Sequence, residues 1–236
     1  MLRREVQTLP TFIYPHDSWR LVEKQYNPLR MPLMETLFAL SNGYLGIRGT
    51  FEEGTPAYQK GTLINGFHET WPIVYPESAF GYATTGQTIV NVPDGTLIRL
   101  YVDDEPFDLA QATLVNYERT LNMQTGILER DVTWEKGSGK RARIRSRRLV
   151  SFEHRHVAAV SYEVTLLNAD APIVISSELV YQEETRPVEG DQRGSRAFAE
   201  RVLLPQSLQA SGGKAVLTAM ARTSRMTMAC GIEHHV

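Results

Sequence analysis

Hydrophobic and polar residues alternate with a period of two along most of the chain after residue 90. The alternation is clearest where Ile98, Leu100 and Val102 are separated by Arg99 and Tyr101. It recurs in further segments, namely residues 126–134, 140–150, 157–167 and 173–181. Alternation over such lengths is typical of half-buried strands, and clusters of Gly, Pro and Asp separate the segments. The pattern therefore predicts an all-β fold, a large antiparallel β-sandwich (a supersandwich).

A short N-terminal stretch, residues 35–51, predicts a hairpin. Apolar runs at residues 36–40 and 44–47 flank Asn42-Gly43. Asn-Gly in that position favours a tight primed turn with positive φ at both central residues. Gly49 follows inside the pattern, and it predicts either a β-bulge or a close backbone approach. The preceding 34 residues contain four prolines, which predicts that they form no regular helix.

Residues 68–87 are the least strand-like part of the chain, because prolines, glycines and aromatic residues interrupt the alternation. They are predicted to form a long aromatic loop. Aromatic rings can stack on sugar rings, and they are also common interface anchors. The candidate substrate-binding or domain-interface residues are His68, Glu69, Trp71, Tyr75 and Tyr82, and burial against the scaffold or a partner domain is the favoured interpretation.

Composition excludes several classes of function. The 236 residues contain one cysteine, which excludes an intrachain disulfide framework, and the net charge of −2 gives no general attraction for nucleic acid or an anionic membrane. No segment approaches the ~18 apolar residues of a membrane span, and the N-terminus does not resemble a signal peptide. We therefore expect a cytoplasmic protein that binds neither nucleic acid nor membrane, with residues 1–236 as one domain.

A basic run at residues 136–148 predicts a charged strand face rather than a nucleic-acid site. Alternate arginines share that face, and acids on the preceding strand are positioned to pair with them: Arg141, Arg143, Arg145 and Arg147 with Glu129, Asp131 and Glu135. His154 and His156 would share a face if they lay on a strand, but the sequence offers no third metal ligand. Cys230 lies among methionines and is interpreted as a small buried hydrophobe. No metal site is predicted.

Three glutamates lie in or beside the most distinctive segments. Glycoside cleavage normally needs two carboxyl groups on either side of the scissile bond, which makes Glu35, Glu69 and Glu77 the acids to consider. The favoured interpretation is structural: Glu35 anchors the hairpin, and the other two are loop acids. No catalytic residue is predicted in this chain.

Several ordered segments resemble the N-terminal domain of glycoside hydrolase family 65, which includes maltose, trehalose and kojibiose phosphorylases. They are residues 35–49, 61–69, 91–95, 126–130 and 147–151. The resemblance implies a β-sandwich that precedes a helical catalytic barrel. It also implies an inverting enzyme that cleaves an α-glucosidic disaccharide with inorganic phosphate as co-substrate and without a cofactor. The catalytic acid and the phosphate-binding residues would lie in the barrel.

The resemblance also shapes the expected partners. They are a C-terminal helical barrel of the same polypeptide and a disaccharide substrate, and the resemblance admits a homodimer. The alternatives are a related trehalose hydrolase and a stand-alone carbohydrate-binding or assembly module. We expect the sandwich to be truncated before its last strands, with an edge strand left unpaired. Residues 183–201 are predicted to be a charged surface insertion.

Overall fold

A computed structural model describes residues 9–77, 79–181 and 201–236. Strands dominate these residues, as the alternating pattern predicts. One short helix, α1 (Met31–Leu37), follows a 3-10 turn at Pro28–Arg30. The strands of the first half are β1 (Arg20–Glu23), β2 (Leu40–Ser41), β3 (Leu45–Ile47), β4 (Thr62–Pro72), β5 (Thr85–Asn91), β6 (Asp94–Val102), β7 (Glu105–Pro106) and β8 (Thr113–Asn122). The later strands are β9 (Ile127–Glu135), β10 (Arg141–Val150), β11 (Ala158–Leu166), β12 (Ile173–Val180), β13 (Leu203–Ser211), β14 (Lys214–Ala221) and β15 (Thr227–Glu233).

The strands form four sheets in the described residues. The largest has the order β1-β8-β9-β10-β11, and all its pairings are antiparallel. The other three have the orders β2-β3-β4-β5, β12-β6-β7 and β13-β14-β15. Neighbouring strands are mostly sequential and joined by short turns, which suits an antiparallel all-β fold.

The chain divides into two compact units. The first contains residues 1–42, 47–60 and 98–176, and it holds the five-stranded sheet. Its hydrophobic core includes Phe51, Leu100, Val132, Trp134 and Ile144. Leu100, Val132 and Ile144 are fully buried. This core lies on one face of the sheet because alternate residues of each strand point to the same side.

The second unit contains residues 43–46, 61–97 and 177–236. It holds the β4–β5 hairpin and the β13-β14-β15 sheet. Its core includes Phe67 and Val90 from the hairpin, together with Leu203, Ala219 and Met228 from the other sheet. The hairpin is therefore packed on a hydrophobic core at its base.

The N-terminal region corrects one prediction. Prolines were expected to exclude a helix, yet Pro28 and Pro32 each occupy one of the first two positions of a helical element. Proline is tolerated there because those positions have no intrahelical partner for an N–H group. Residues 36 and 37 end α1, so only Leu40 of the first predicted apolar run lies in a strand, which it forms with Ser41.

The Asn-Gly connection between β2 and β3 is longer than predicted. It spans residues 42–44, and Gly43 has φ of +86° while Asn42 stays outside the positive-φ region. The primed two-residue turn is therefore wrong, although the two strands are neighbours in one sheet. The close approach predicted at Gly49 is confirmed, since a Cβ atom there would lie 2.8 Å from the backbone of Phe38.

One further prediction is wrong in part. Residues 68–87 are not one loop, because β4 continues to Pro72 and β5 begins at Thr85. His154 and His156 lie in the connection between β10 and β11 and not on a strand.

Most of the predicted surface insertion, residues 183–200, lies outside the described residues. None of the helices described is long and apolar enough to cross a membrane.

Candidate functional site

The candidate residues gather on the β4–β5 hairpin of the second unit. Its strands pair from His68 opposite Ile89 to Pro72 opposite Thr85, and the amide of Ile73 donates to the carbonyl of Thr84 at 2.9 Å. Residues 73–84 form the connection beyond this pairing, which we call the hairpin tip. The aromatic loop predicted from the sequence is therefore the tip plus the ends of two strands.

Trp71 lies opposite Gly86 and covers it. A Cβ atom on Gly86 would lie 2.4 Å from the indole ring, far inside van der Waals contact. The glycine is therefore required for the ring to lie this close to the neighbouring strand. The indole is half-buried, so this candidate residue is part of the packing at the base of the tip.

The tip itself exposes aromatic and aliphatic surface. The rings of Tyr75 and Tyr82 lie 4.9 Å apart at an angle of 50°, a tilted arrangement that stabilises both. Tyr82 is 52% exposed, Val74 is 68% exposed and Phe80 is fully exposed. Adjacent exposed apolar groups of this kind mark interaction surfaces more often than isolated ones do.

Glu69 is buried and holds a turn, so its interpretation as a loop acid is wrong. Its side chain is on β4, is 1% exposed, and accepts hydrogen bonds from the amides of Thr223 at 2.9 Å and Ser224 at 2.7 Å. The Ser224 hydroxyl donates to the carbonyl of His68 at 2.7 Å. Nδ1 of His68 lies 3.0 Å from the carbonyl oxygen of Gly66. His68 and Glu69 thus position the β14–β15 turn beside the hairpin.

Glu35 also has a structural position, on the inner face of α1 in the first unit. Its carboxylate is 1% exposed and accepts from the amides of Tyr58 at 2.6 Å and Gln59 at 2.9 Å. Arg48 lies 3.4 Å from it. Glu35 is an anchor, as predicted, but it holds the segment at residues 58–59. Glu77 lies exposed in the hairpin tip.

A buried charge cluster in the first unit escaped the sequence analysis. Glu53 accepts two hydrogen bonds from Arg130, at 2.7 and 2.6 Å, and Glu52 lies 3.0 Å from Arg130 and 2.9 Å from Arg148. Arg119 belongs to the same buried region and donates to the carbonyl oxygen of Gly49 at 2.6 Å. Burial alone would raise the pKa of Glu52, but the charges of Arg130, Arg148 and Arg119 outweigh it and lower the pKa to about 2.

The alternation of apolar and polar residues in β9 and β10 contains a signal for this cluster, because it places arginines on the apolar face. In β9, Arg130 occupies the same strand face as Leu128, Val132 and Trp134, and that face is buried. In β10, Arg148 likewise shares the buried face of Ile144. An arginine on the apolar face of a strand requires a buried acid, because an unpaired buried charge is strongly unfavourable. The adjacent acids Glu52 and Glu53 meet that need.

The predicted arginine face of β10 is confirmed. Its ion pairs reach the acids of β9: Arg141 with Glu135 at 2.6 Å, Arg147 with Glu129 at 3.0 Å, Arg145 with Asp131 at 3.5 Å, and Arg143 with Asp131. These side chains are 31–66% exposed, so each pair contributes little to stability. Each of the four arginines is therefore paired with an acid, and two of them share Asp131.

Thiol and metal chemistry find no support in the described residues. Burial and then the charge of Asp94 raise the pKa of the Cys230 thiol to about 11, so it stays protonated and unreactive at neutral pH. Within residues 9–77, 79–181 and 201–236, no group of three His, Cys, Asp or Glu side chains is arranged to hold a metal ion.

Comparisons with known proteins identify the family. Residues 21–236 match the sequence model of the glycosyl hydrolase family 65 N-terminal domain. The chain is 38% identical over 223 residues to an uncharacterized glycosyl hydrolase of Mycobacterium tuberculosis, covering 94% of this chain and 28% of that protein. It is 37% identical over 226 residues to an alpha,alpha-trehalose phosphorylase of Thermoanaerobacter brockii, covering 94% of this chain and 29% of that protein.

A solved structure shows the same fold. It is described as "Putative kojibiose phosphorylase from human microbiome", and it superposes with a TM-score of 0.76 at 22% identity, over 94% of this chain and 28% of that one. The predicted fold class, an all-β antiparallel sandwich, is confirmed. The chain thus spans less than a third of the length of the relatives it matches. By its sequence match over residues 21–236, the chain belongs to the N-terminal domain family of glycosyl hydrolase family 65.

Proposed function

We propose that this chain is the non-catalytic N-terminal scaffold domain of an inverting disaccharide phosphorylase. The full enzyme would cleave an α-glucosidic disaccharide with inorganic phosphate. One observation carries the proposal: every buried carboxylate in the described residues is already held by hydrogen-bond donors or arginines of its own unit. These carboxylates are Glu23, Glu35, Glu52, Glu53 and Glu69.

A carboxyl group that catalyses glycoside cleavage must face a space that the sugar can enter. Glu23 illustrates why the buried acids do not meet this requirement. Its two carboxylate oxygens accept from the hydroxyls of Tyr14 at 3.1 Å and Tyr117 at 2.7 Å, and its side chain is 2% exposed. The buried acids therefore serve the fold, and the chemistry is assigned to the part of the polypeptide that the longer relatives possess.

The relatives support the proposed reaction. A trehalose phosphorylase and a kojibiose phosphorylase, both of Thermoanaerobacter brockii, match this chain at 37% and 33% identity. Both names describe phosphorolysis of a glucose disaccharide. We assign the same class of reaction to the natural polypeptide that contains this chain.

The hairpin tip is the proposed surface toward the catalytic domain or its sugar. The exposed Phe80 and Tyr82 are the groups to test, because removing an exposed ring leaves the core of the unit intact. In the natural polypeptide, Phe80→Ala and Tyr82→Ala should raise KM, lower kcat or lower the melting temperature. Phe152→Ala is the matched control, since Phe152 is 79% exposed in the first unit. Kinetics and melting that match the control would overturn the assignment of the tip.

Phosphate dependence tests the proposed reaction. The natural polypeptide is assayed with trehalose, kojibiose and maltose, with and without inorganic phosphate. We expect cleavage of at least one disaccharide only when phosphate is present, with β-glucose 1-phosphate as product. Cleavage that is independent of phosphate would favour a hydrolase instead. Absence of cleavage under both conditions would favour a binding or assembly module.

A further inference from the structure

We propose that Asn65 is a site of spontaneous deamidation, a reaction that converts its side-chain amide to a carboxylate, while the other Asn-Gly pair of the chain stays intact. The sequence contains two such pairs, Asn42-Gly43 and Asn65-Gly66. Asparagine is a thermolabile residue, and a glycine that follows it promotes the reaction because no Cβ atom shields the glycine nitrogen. The structure holds the two pairs differently, and the difference favours reaction at Asn65.

The reaction consumes only water. The backbone nitrogen of Gly66 loses its proton to solvent and attacks Cγ of Asn65, so that a new C–N bond forms. The bond from Cγ to Nδ2 breaks, and the departing nitrogen takes up a proton and leaves as ammonia. Water then opens the cyclic imide at either of its two carbonyl groups. The products are aspartate, and isoaspartate, in which the main chain runs through Cγ.

Gly66 lies in an irregular part of β4, where the pairing with β5 is interrupted. The register shifts between Leu63 and His68, so residues 64–67 form a large β-bulge outside the ladder. Gly66 is exposed, has φ of +84°, and lies in open space, because a Cβ atom there would meet nothing within 4 Å. The main chain at Asn65-Gly66 can therefore rotate toward the imide geometry without breaking the β4–β5 ladder.

The two side-chain amides are held to different extents. Asn65 is exposed, and its Nδ2 donates one hydrogen bond, to the carbonyl oxygen of Gly43 at 3.0 Å. Asn42 is half-buried, and its Nδ2 donates to the carbonyl oxygens of Ser151 at 2.6 Å and Arg155 at 3.0 Å. The Asn42 amide must break one more hydrogen bond before its Cγ can be attacked. A hydrogen bond corresponds to a factor of about five, so we expect Asn65 to react at least about fivefold faster.

Deamidation at Asn65 also changes the local structure. A carboxylate at this position cannot donate to the Gly43 carbonyl, and it places a negative charge beside that oxygen. The backbone amide of Asn65 donates to the carbonyl oxygen of Tyr44 at 2.8 Å. We expect this amide to exchange with solvent faster after deamidation, because local opening becomes easier. Deamidation therefore loosens the contact of β4 with residues 43–44.

Tryptic peptide mapping with mass spectrometry measures the two sites separately, because cleavage after Arg48 and Lys60 places them in different peptides. The folded chain is incubated in mildly alkaline buffer and sampled over time. We expect aspartate and isoaspartate to accumulate at residue 65, with conversion at residue 42 at least about fivefold slower. In the chain unfolded in urea, the two sites should react at similar rates, because neither amide is held there.

Two matched variants identify the reacting residue. Asn65→Gln keeps an amide but cannot close the same imide ring, and it should remove nearly all conversion in the folded chain. Asn42→Gln should leave conversion at residue 65 unchanged. Conversion of Asn42 as fast as that of Asn65 in the folded chain, or a preference for Asn65 that persists in urea, would overturn the proposal. So would an Asn65 that stays intact in the folded chain but reacts in urea.

Discussion

Arg130 and Glu53 form a buried two-point ion pair at the centre of the first unit. Nη1 and Nη2 of the arginine lie 2.7 and 2.6 Å from the two carboxylate oxygens, and the side chains are 2% and 3% exposed. Tyr162 donates a further hydrogen bond to Glu53 at 3.1 Å. Glu53 lies in the loop that follows Phe51, and Arg130 lies on β9, the central strand of the five-stranded sheet. The ion pair therefore holds this loop against the sheet.

Breaking this pair should destabilise the chain strongly. Glu53→Gln leaves Arg130 charged and buried with one partner fewer, and we expect the free energy of unfolding to fall by about 3–5 kcal/mol. Urea denaturation monitored by circular dichroism measures this. The matched control is Glu129→Gln, which removes an exposed partner of Arg147 and should cost less than about 1 kcal/mol. Equal effects of the two substitutions would contradict the assigned role of the buried pair.

The lowered pKa of Glu52 predicts how the free energy of unfolding depends on pH. Its pKa is about 2 in the folded chain against an ordinary value of 4.5, because Arg130, Arg148 and Arg119 outweigh the effect of burial. A carboxyl with a lowered folded pKa stabilises the fold above its unfolded pKa. That contribution is lost as the pH falls toward the folded value. The free energy of unfolding should therefore decrease between about pH 4.5 and pH 2.

The control for this prediction is Glu52→Gln, which should flatten the acid dependence over the same pH range. Glu23 acts in the opposite direction, because burial raises its pKa despite hydrogen bonds from Tyr117 and Tyr14. Its protonation therefore favours the folded chain as the pH falls. If the free energy of unfolding of Glu52→Gln decreases with falling pH as steeply as that of the unaltered chain, other carboxyl groups cause the loss of stability.

The sequence predicted the strands well, because alternation and turn residues are local signals. The strands β9, β10 and β11 lie where the alternating segments at residues 126–134, 140–150 and 157–167 indicated. The number of prolines near α1 disfavours a helix, but the effect of a proline depends on its position. Pro32 lies at the start of the helix, where it breaks no hydrogen bond.

The candidate site was less predictable than the fold. Trp71, Tyr75 and Tyr82 were identified by type, and the structure places them on one hairpin. Glu69 could not be assigned from sequence, because its partners Thr223 and Ser224 lie about 150 residues away in the chain. Local patterns contain no information on such long-range hydrogen bonds.

Gly86 should not tolerate a side chain. Gly86→Ala would place a methyl group 2.4 Å from the indole of Trp71, so the ring must move. We expect a loss of about 1–3 kcal/mol of stability and a red shift of tryptophan fluorescence as the indole becomes more exposed. Gly137→Ala is the control, because a Cβ atom there meets nothing within 4 Å. Gly86→Ala with the stability and emission spectrum of the unaltered chain would show that the ring does not lie across the glycine.

Glu69 should control the order of the β14–β15 turn. Glu69→Ala removes the acceptor of the Thr223 and Ser224 amides, and we expect a loss of about 1–3 kcal/mol. Hydrogen exchange of those two amides should become faster, while the amides of β9 and β10 keep their protection. Glu77→Ala, which changes an exposed acid of the hairpin tip, should alter neither quantity. Unaltered exchange at residues 223 and 224 would refute the positioning role.

The most direct measurement for the whole account is the release of glucose 1-phosphate from trehalose, kojibiose or maltose by two proteins at equal concentration. One is this 236-residue chain, and the other is the longer polypeptide to which the proposed function assigns it. Since the buried carboxylates of the chain are occupied by structural partners, we expect no release by the chain alone and phosphate-dependent release by the longer protein. Release of glucose 1-phosphate by the 236-residue chain itself would contradict the scaffold role.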